Sequence, residues 1–174
     1  MRLVTYRLGR QHHAVVVRVD RVMDQAAALI AQRERHGLGT VEIAVTVEDG
    51  IPDLICAAHE GLFGRSDWDA WAGPGRAGTT TLNRAGALVI VNAQSLHGRA
   101  AALTDKVVLH ELTHAAQFNR PGARQQLMKG LAYNLGIGWL TDAELRAGDR
   151  QMVRDEREAQ QAELLHRQLA KAVA

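Results

Sequence analysis

The chain has 174 residues, a mass of 19.0 kDa and 47% hydrophobic residues, enough for one substantial core, so we expect a single domain spanning 1–174. Its 21 basic and 19 acidic residues nearly balance and only 4% of residues are aromatic, so we expect no nucleic-acid partner. One cysteine, Cys56, excludes an intrachain disulfide, and neither a secretory signal nor a membrane-spanning apolar run is visible; we therefore expect a cytoplasmic protein with no membrane partner.

The first part of the chain, residues 1–60, predicts short strands and helices. Arg2–Arg7 and Ala14–Val19 are rich in β-branched residues, so we expect two strands joined by a turn. Asp20 can cap a helix whose apolar stripe continues to His36, where glycines follow.

Val41–Val47 alternates in hydrophobicity and predicts a half-buried strand, and Pro52–Phe63 predicts a short helix. This helix carries His59 and Glu60. Because adjacent residues of a helix do not share a face, we expect these two on the surface rather than in a site.

Residues 61–78 are rich in glycine and contain Trp68 and Trp71, so we expect a long loop here. Two interpretations stay open for this pair. The tryptophans close one edge of the core, or they form a flap over a substrate cleft.

A predicted catalytic core, 79–174, begins with Thr79–Leu82 and Ala87–Asn92, which look like a β-hairpin. Leu88–Val91 is aliphatic on both faces, which is typical of a strand that helices cover on at least one side.

The next helix carries the most informative pattern in the sequence. Apolar residues recur at helical spacing between Thr104, a suitable N-cap, and Pro121, and they enclose the His-Glu-x-x-His motif formed by His110, Glu111 and His114. Side chains four residues apart on a helix project to the same side, so both imidazoles can bind one divalent ion, and zinc is the ion that such ligands favour. Glu111, about 100° round the helix, is placed to act as a general base on a metal-activated water.

A second helix is predicted at Gln125–Tyr133, and a last helical region starts at Thr141 or Asp142. That last region offers four carboxylates as the third metal ligand: Asp155, Glu156, Glu158 and Glu163.

The spacing after the motif excludes one class of zinc protease. A metzincin needs glycine where this chain has Gln117 and histidine where it has Arg120. Gln117 is instead a candidate for supporting a ligand or contacting substrate.

Residues 78–165 resemble small gluzincin-type zinc metallopeptidases, most of all the ImmA/IrrE-type family. In that family a strand ending in Asn, here Leu88–Asn92, precedes the His-Glu-x-x-His helix. The third ligand is the first residue of Glu-x-x-Ala-Asn or Glu-x-x-Ala-Asp, which Glu156–Gln160 matches except for its last residue. The resemblance therefore implies Glu156 as the third ligand, with Glu158 as the alternative.

The resemblance also implies a residue that stabilises the oxyanion, for which Tyr133, His97 and His166 are candidates. Asp155 is a candidate for orienting a ligand histidine.

We accordingly expect an α+β, zincin-like fold in which a small mixed β-sheet packs against the motif helix and a C-terminal helix presents Glu156. The expected function is zinc-dependent hydrolysis of peptide bonds, with a peptide or protein substrate lying along Thr79–Leu82 or Leu88–Asn92. The alternatives are a regulatory protease that cuts one partner protein and a non-catalytic metal-binding module.

Overall fold

The structure, a computed structural model, describes residues 1–64 and 75–173 and has an α+β fold. The proposed flap residues Trp68 and Trp71 lie outside the described residues. The strands are β1 (Arg2–Thr5), β2 (Val41–Thr46), β3 (Gly78–Leu82) and β4 (Ala87–Asn92). The helices are α1 (His13–Arg33), α2 (Ile51–Phe63), α3 (Ala93–Leu96), α4 (Ala101–Phe118), α5 (Ala123–Asn134), α6 (Asp142–Ala162) and α7 (His166–Ala172).

The four strands form one mixed sheet in the order β1-β2-β4-β3, as the expected fold requires. β1, β2 and β4 run parallel, while β3 pairs antiparallel with β4 through the predicted hairpin. Among the described strands, β3 and β1 are therefore at the edges and β4 is interior. This order removes Leu88–Asn92 as an edge for a peptide substrate, because both of its sides are already paired.

The two faces of the sheet are covered by different helices. On one face Ile43, Val45, Val89 and Val91 belong to the main core, which they form with apolar residues of α1 and α4. On the other face Ala44, Leu88 and Ile90 pack against Ile51 and Ile55 of α2. The all-aliphatic composition of β4 follows from this burial on both sides.

The prediction of a strand at Ala14–Val19 is wrong, because these residues form the first turns of α1. Valines favour strands locally, but here they recur at the three- and four-residue spacing of a helix face. The buried stripe of α1 consists of Val15, Val19, Val22, Ala26 and Ile30. Packing of this stripe against α4 and the sheet outweighs the local preference.

The motif helix α4 lies in the centre of the domain, between the sheet, α1 and α6. It starts at Ala101, one turn before the predicted cap, so Thr104 is buried inside the helix instead of capping it. Arg18 of α1 donates two hydrogen bonds of 2.7 and 2.6 Å to the buried carboxylate of Asp105. This paired contact fixes α4 against α1 one turn and a half before the motif begins.

α6 begins as predicted at Thr141, whose hydroxyl accepts from the backbone N–H of Glu144 while the Glu144 carboxylate accepts from the backbone N–H of Thr141. Its last turns pack on α4 through the buried Ala159 and Ala162. α5, predicted at Gln125–Tyr133, is present and has no fully buried residue. Within the described part of the chain, no helix has the length and apolar character needed to cross a membrane.

The prediction that His59 lies on the surface is also wrong. His59 is buried between α2 and the sheet, and its Nε2 lies 2.8 Å from the hydroxyl of Thr81 on β3. Burial penalises the charged imidazolium and lowers the pKa of His59 from 6.5 to about 4.

We expect this burial to make stability depend on pH. Below about pH 6.5 the unfolded chain takes up a proton at His59 that the folded chain rejects until about pH 4, so acid favours unfolding in that window. The free energy of unfolding should fall by up to about 3 kcal/mol more in the native protein than in His59→Gln between neutral pH and pH 4. Urea denaturation at each pH measures this difference, and parallel pH profiles for the two proteins would contradict it.

Candidate metal centre

The two motif histidines face each other across one turn of α4. Their Nε2 atoms lie 3.2 Å apart, and the rings meet edge to face with centroids separated by 4.9 Å. Both side chains are partly buried, at 17% and 20% exposure.

The carboxylate of Glu156, on α6, lies next to the two Nε2 atoms. Its Oε1 lies 3.6 Å from Nε2 of His110, and its Oε2 lies 3.5 Å from Nε2 of His114. Two ligands that bind zinc at the usual lengths and at the tetrahedral angle are about 3.3 to 3.4 Å apart. The three side chains thus form a triad with separations close to those of a tetrahedral metal site.

The other nitrogen of each imidazole has a partner that decides where its proton sits. Nδ1 of His110 donates to Oε1 of Glu163 at 3.1 Å. Nδ1 of His114 donates to Oε1 of Gln117 at 2.7 Å. The orientation of the Gln117 amide is fixed in turn, because its Nε2 donates to the backbone carbonyl of Asp155 at 2.8 Å.

With both imidazoles neutral, these contacts leave both Nε2 atoms without a proton. A neutral imidazole that donates through Nδ1 presents a lone pair at Nε2, and the Glu156 carboxylate presents further lone pairs. Three acceptors therefore converge on one point without a hydrogen-bond donor among them. Such an arrangement is repulsive unless a cation lies between them, so the donor set fits a metal ion.

Glu158, the alternative third ligand, has its carboxylate elsewhere. Its Oε2 accepts from Arg120 at 2.6 Å and from Gln117 at 3.1 Å. Burial alone would raise the pKa of Glu158, but these hydrogen bonds outweigh it and hold the pKa below its usual value. The carboxylate of Asp155, a candidate for orienting a histidine, instead accepts from Arg120 at 3.2 Å.

Glu111 lies next to the triad and is shielded from solvent, with 5% of its surface exposed. The hydroxyl of Thr80 on β3 donates to its Oε2 at 2.7 Å. Burial raises the pKa of Glu111 to about 7, although the Thr80 hydrogen bond and the nearby His114 act in the opposite direction. A carboxyl group with this pKa can both take and release a proton near neutral pH.

β3 approaches Glu111 closely because residue 78 is glycine. A Cβ at Gly78 would lie 2.8 Å from Cγ of Glu111 and 2.8 Å from Cγ1 of Val107, closer than side-chain carbons approach in proteins. Gly78 and Thr80 therefore share the face of β3 that meets α4, and together they define where the Glu111 carboxylate sits.

The triad and Glu111 open into a cleft of about 1270 Å³. β3 forms one side of it, α4 the floor, and α5 with the first half of α6 the other side. Of the candidate oxyanion residues, Tyr133 lines this cleft. His97 instead packs edge to face against His12, and Nδ1 of His166 donates to the backbone carbonyl of Glu163.

The sequence pattern did not reveal the contact between Glu163 and His110, although one signal was available. Glu163 follows Glu156 by seven residues, which places both on the same side of a helix two turns apart. No sequence pattern predicts that Gly78 and Thr80 of β3 contact Glu111, because this contact depends on how the hairpin packs on α4.

We expect Glu163 to contribute to metal affinity by fixing the proton on His110. Replacing such a supporting carboxylate lowers metal affinity by about 10- to 100-fold in other metal sites. Glu163→Ala should therefore weaken Zn²⁺ binding by about that factor, measured by competition with a chromophoric chelator. Glu60→Ala, which removes an exposed glutamate of α2, is the control; equal affinities in the two variants would contradict the assignment.

Comparison of the chain with protein-family models, with curated proteins and with solved structures finds no match in any of the three. The chemistry of this site therefore has to follow from its own residues.

Proposed function

We propose that the protein is a zinc-dependent metallopeptidase in which His110, His114 and Glu156 hold the ion and Glu111 is the general base. The observation that carries the proposal is the convergence of the Nε2 atoms of two imidazoles and one carboxylate beside a buried glutamate, Glu111.

The ligand set supports zinc and supports a catalytic role for it. Imidazole nitrogens with one carboxylate oxygen are typical zinc ligands, and three protein ligands leave a fourth position for water or substrate, whereas structural sites use four. When bound, zinc polarises the scissile carbonyl and lowers the pKa of a coordinated water towards 7.

Glu111 then has two proton transfers to perform. Its carboxylate takes a proton from the attacking water and afterwards delivers that proton to the amine of the departing peptide. Both transfers need a group whose pKa lies near the working pH, and burial under β3 supplies it. The Thr80 hydroxyl holds the carboxylate in place through both transfers.

The edge of β3 supports a peptide substrate. In the described sheet, Gly78–Leu82 pairs with β4 on one side only, and Gly78, Thr79 and Thr80 line the cleft. An extended peptide can add to this edge through backbone hydrogen bonds, which places a scissile bond beside Glu111.

The resemblance to ImmA/IrrE-type proteins supports the same chemistry and a narrower version of it, in which the substrate is a single partner protein. The single cysteine, Cys56, supports a reducing, cytoplasmic setting.

The first test measures metal content and hydrolysis together. Protein purified without added metal should contain close to one equivalent of zinc by elemental analysis, and it should cleave a mixture of fluorogenic peptides. Glu111→Gln should abolish cleavage and keep the zinc, because the amide cannot accept the proton while the ligands are unchanged.

His114→Ala is the matched control, since it should lose both zinc and cleavage. Less than about half an equivalent of zinc in the native protein would favour a non-catalytic module. Cleavage retained by Glu111→Gln would refute the role of Glu111.

Gly78→Ala tests the placement of the base without changing any reacting group. The added methyl group collides with Glu111 and displaces its carboxylate, so kcat should fall by about tenfold or more while zinc content stays at one equivalent. Gly61→Ala, the same substitution at a glycine of α2 that does not line the cleft and has open space at its Cβ, should leave kcat within about twofold. Unchanged kcat in Gly78→Ala would show that the base does not depend on this contact.

A further inference from the structure

We propose that the groove between α5 and the first half of α6 is a subsite for a bulky apolar side chain of the substrate, next to the bond that is cut. This inference rests on the proposed peptidase function and deepens it by naming the class of substrate.

The shape of the cleft is suited to an extended segment of chain. It has a volume of about 1270 Å³, is open to solvent, and extends from β3 across α4 to α5 and α6. A segment of several residues that lies along β3 would project some of its side chains towards the α5–α6 side.

That side carries a stripe of apolar residues among charged and polar ones such as Lys129, Glu144 and Arg154. Leu145 and Met152 of α6 line the cleft, and they lie on the helix face that continues to Glu156, since the intervals are seven and four residues. Met152 has 66% of its surface exposed although it is one turn from the triad. On α5, Leu127 and Leu131 line the same cleft, also four residues apart. An exposed apolar lining that leads to a reactive centre is typical of a binding groove.

Two glycines keep this groove open. Gly130 of α5 and Gly148 of α6 both line the cleft, and both sit inside helices, where glycine is less favourable than alanine. Neither has a positive φ, and a Cβ at either position meets no described atom within 4 Å. Among the described residues, neither helix packing nor backbone conformation requires glycine here, and the missing side chains widen the groove between the two helices.

The walls of the groove are held in place within the chain. Arg124 at the start of α5 donates to the backbone carbonyls of Asn83 and Gly86 in the β3–β4 turn. Nζ of Lys129 lies 3.4 Å from Oε1 of Glu144, an exposed contact between α5 and α6. The Arg124 contacts set the position of α5 relative to the β3–β4 turn, and α6 carries both its side of the groove and Glu156.

The test fills the groove and measures binding without turnover. Gly130→Leu and Gly148→Leu are made in zinc-bound Glu111→Gln protein, with Gly61→Leu as the matched control. Gly61 is also a helical glycine with open space at its Cβ, but it lies on α2, away from the cleft. The probes are short fluorescein-labelled peptides of Ser and Asn that carry one central residue, which is Phe, Leu, Ala or Asp. Fluorescence anisotropy gives each affinity.

The Phe and Leu peptides should bind at least about tenfold more tightly than the Ala and Asp peptides, because their side chains bury more apolar surface. Gly130→Leu and Gly148→Leu should each remove that preference and keep one equivalent of zinc, while Gly61→Leu should keep the preference. Equal binding of all four peptides, or a preference that survives both cleft substitutions, overturns the inference. So does the absence of peptide binding together with a dimer, seen by sedimentation, that the cleft substitutions dissociate.

This outcome is separable from the peptidase proposal. A preference for Phe and Leu in a native protein that cleaves nothing would support the subsite and refute catalysis. Cleavage of peptides without regard to the central residue, unchanged by Gly130→Leu and Gly148→Leu, would support catalysis and refute the subsite.

Discussion

The structure of the site depends on two hydrogen bonds that point away from it. Glu163 and Gln117 each accept from the Nδ1 of one motif histidine, so that in neutral imidazoles both Nε2 lone pairs face each other, with the two atoms 3.2 Å apart. Two paired histidines on a helix surface would normally turn apart or take up a proton. Here their partners on α4 and after α6 hold them together, so that a cation stabilises the arrangement and its absence leaves it repulsive.

A separate set of contacts, made by Arg120, attaches α6 to the rest of the domain. Arg120, just beyond α4, contacts Glu34 at the end of α1 as well as Asp155 and Glu158 of α6. Single surface ion pairs contribute little, but one guanidinium shared by three carboxylates from two other elements fixes relative position. Because Glu156 lies between Asp155 and Glu158, this contact sets both the height and the rotation at which α6 presents it.

The parts of the fold and of the site that the sequence predicts are those set by residues close together in the chain. The motif histidines, Glu111 and the start of α6 were predictable, because helical spacing and a capping box act within a few residues. Glu156 was identified by resemblance and not by spacing, since helix geometry alone left four carboxylates open. The strand predicted at Ala14–Val19 failed for the opposite reason: the local preference of valine was clear, but contact with α4 decided the conformation.

β3 contributes both to the surroundings of Glu111 and to the lining of the cleft, and no local sequence pattern predicts either contribution. On one of its faces, close packing at Gly78 helps to bury Glu111, which raises the pKa of that carboxyl, while the Thr80 hydroxyl donates to the carboxylate and acts against this rise. The edge of β3 that faces away from β4 is unpaired within the described sheet, and β3 borders the cleft. A peptide added to that edge would extend the sheet over Glu111 and exclude more water from it. Since water exclusion strengthens each charge interaction in the site, substrate binding and activation of the base would then reinforce each other.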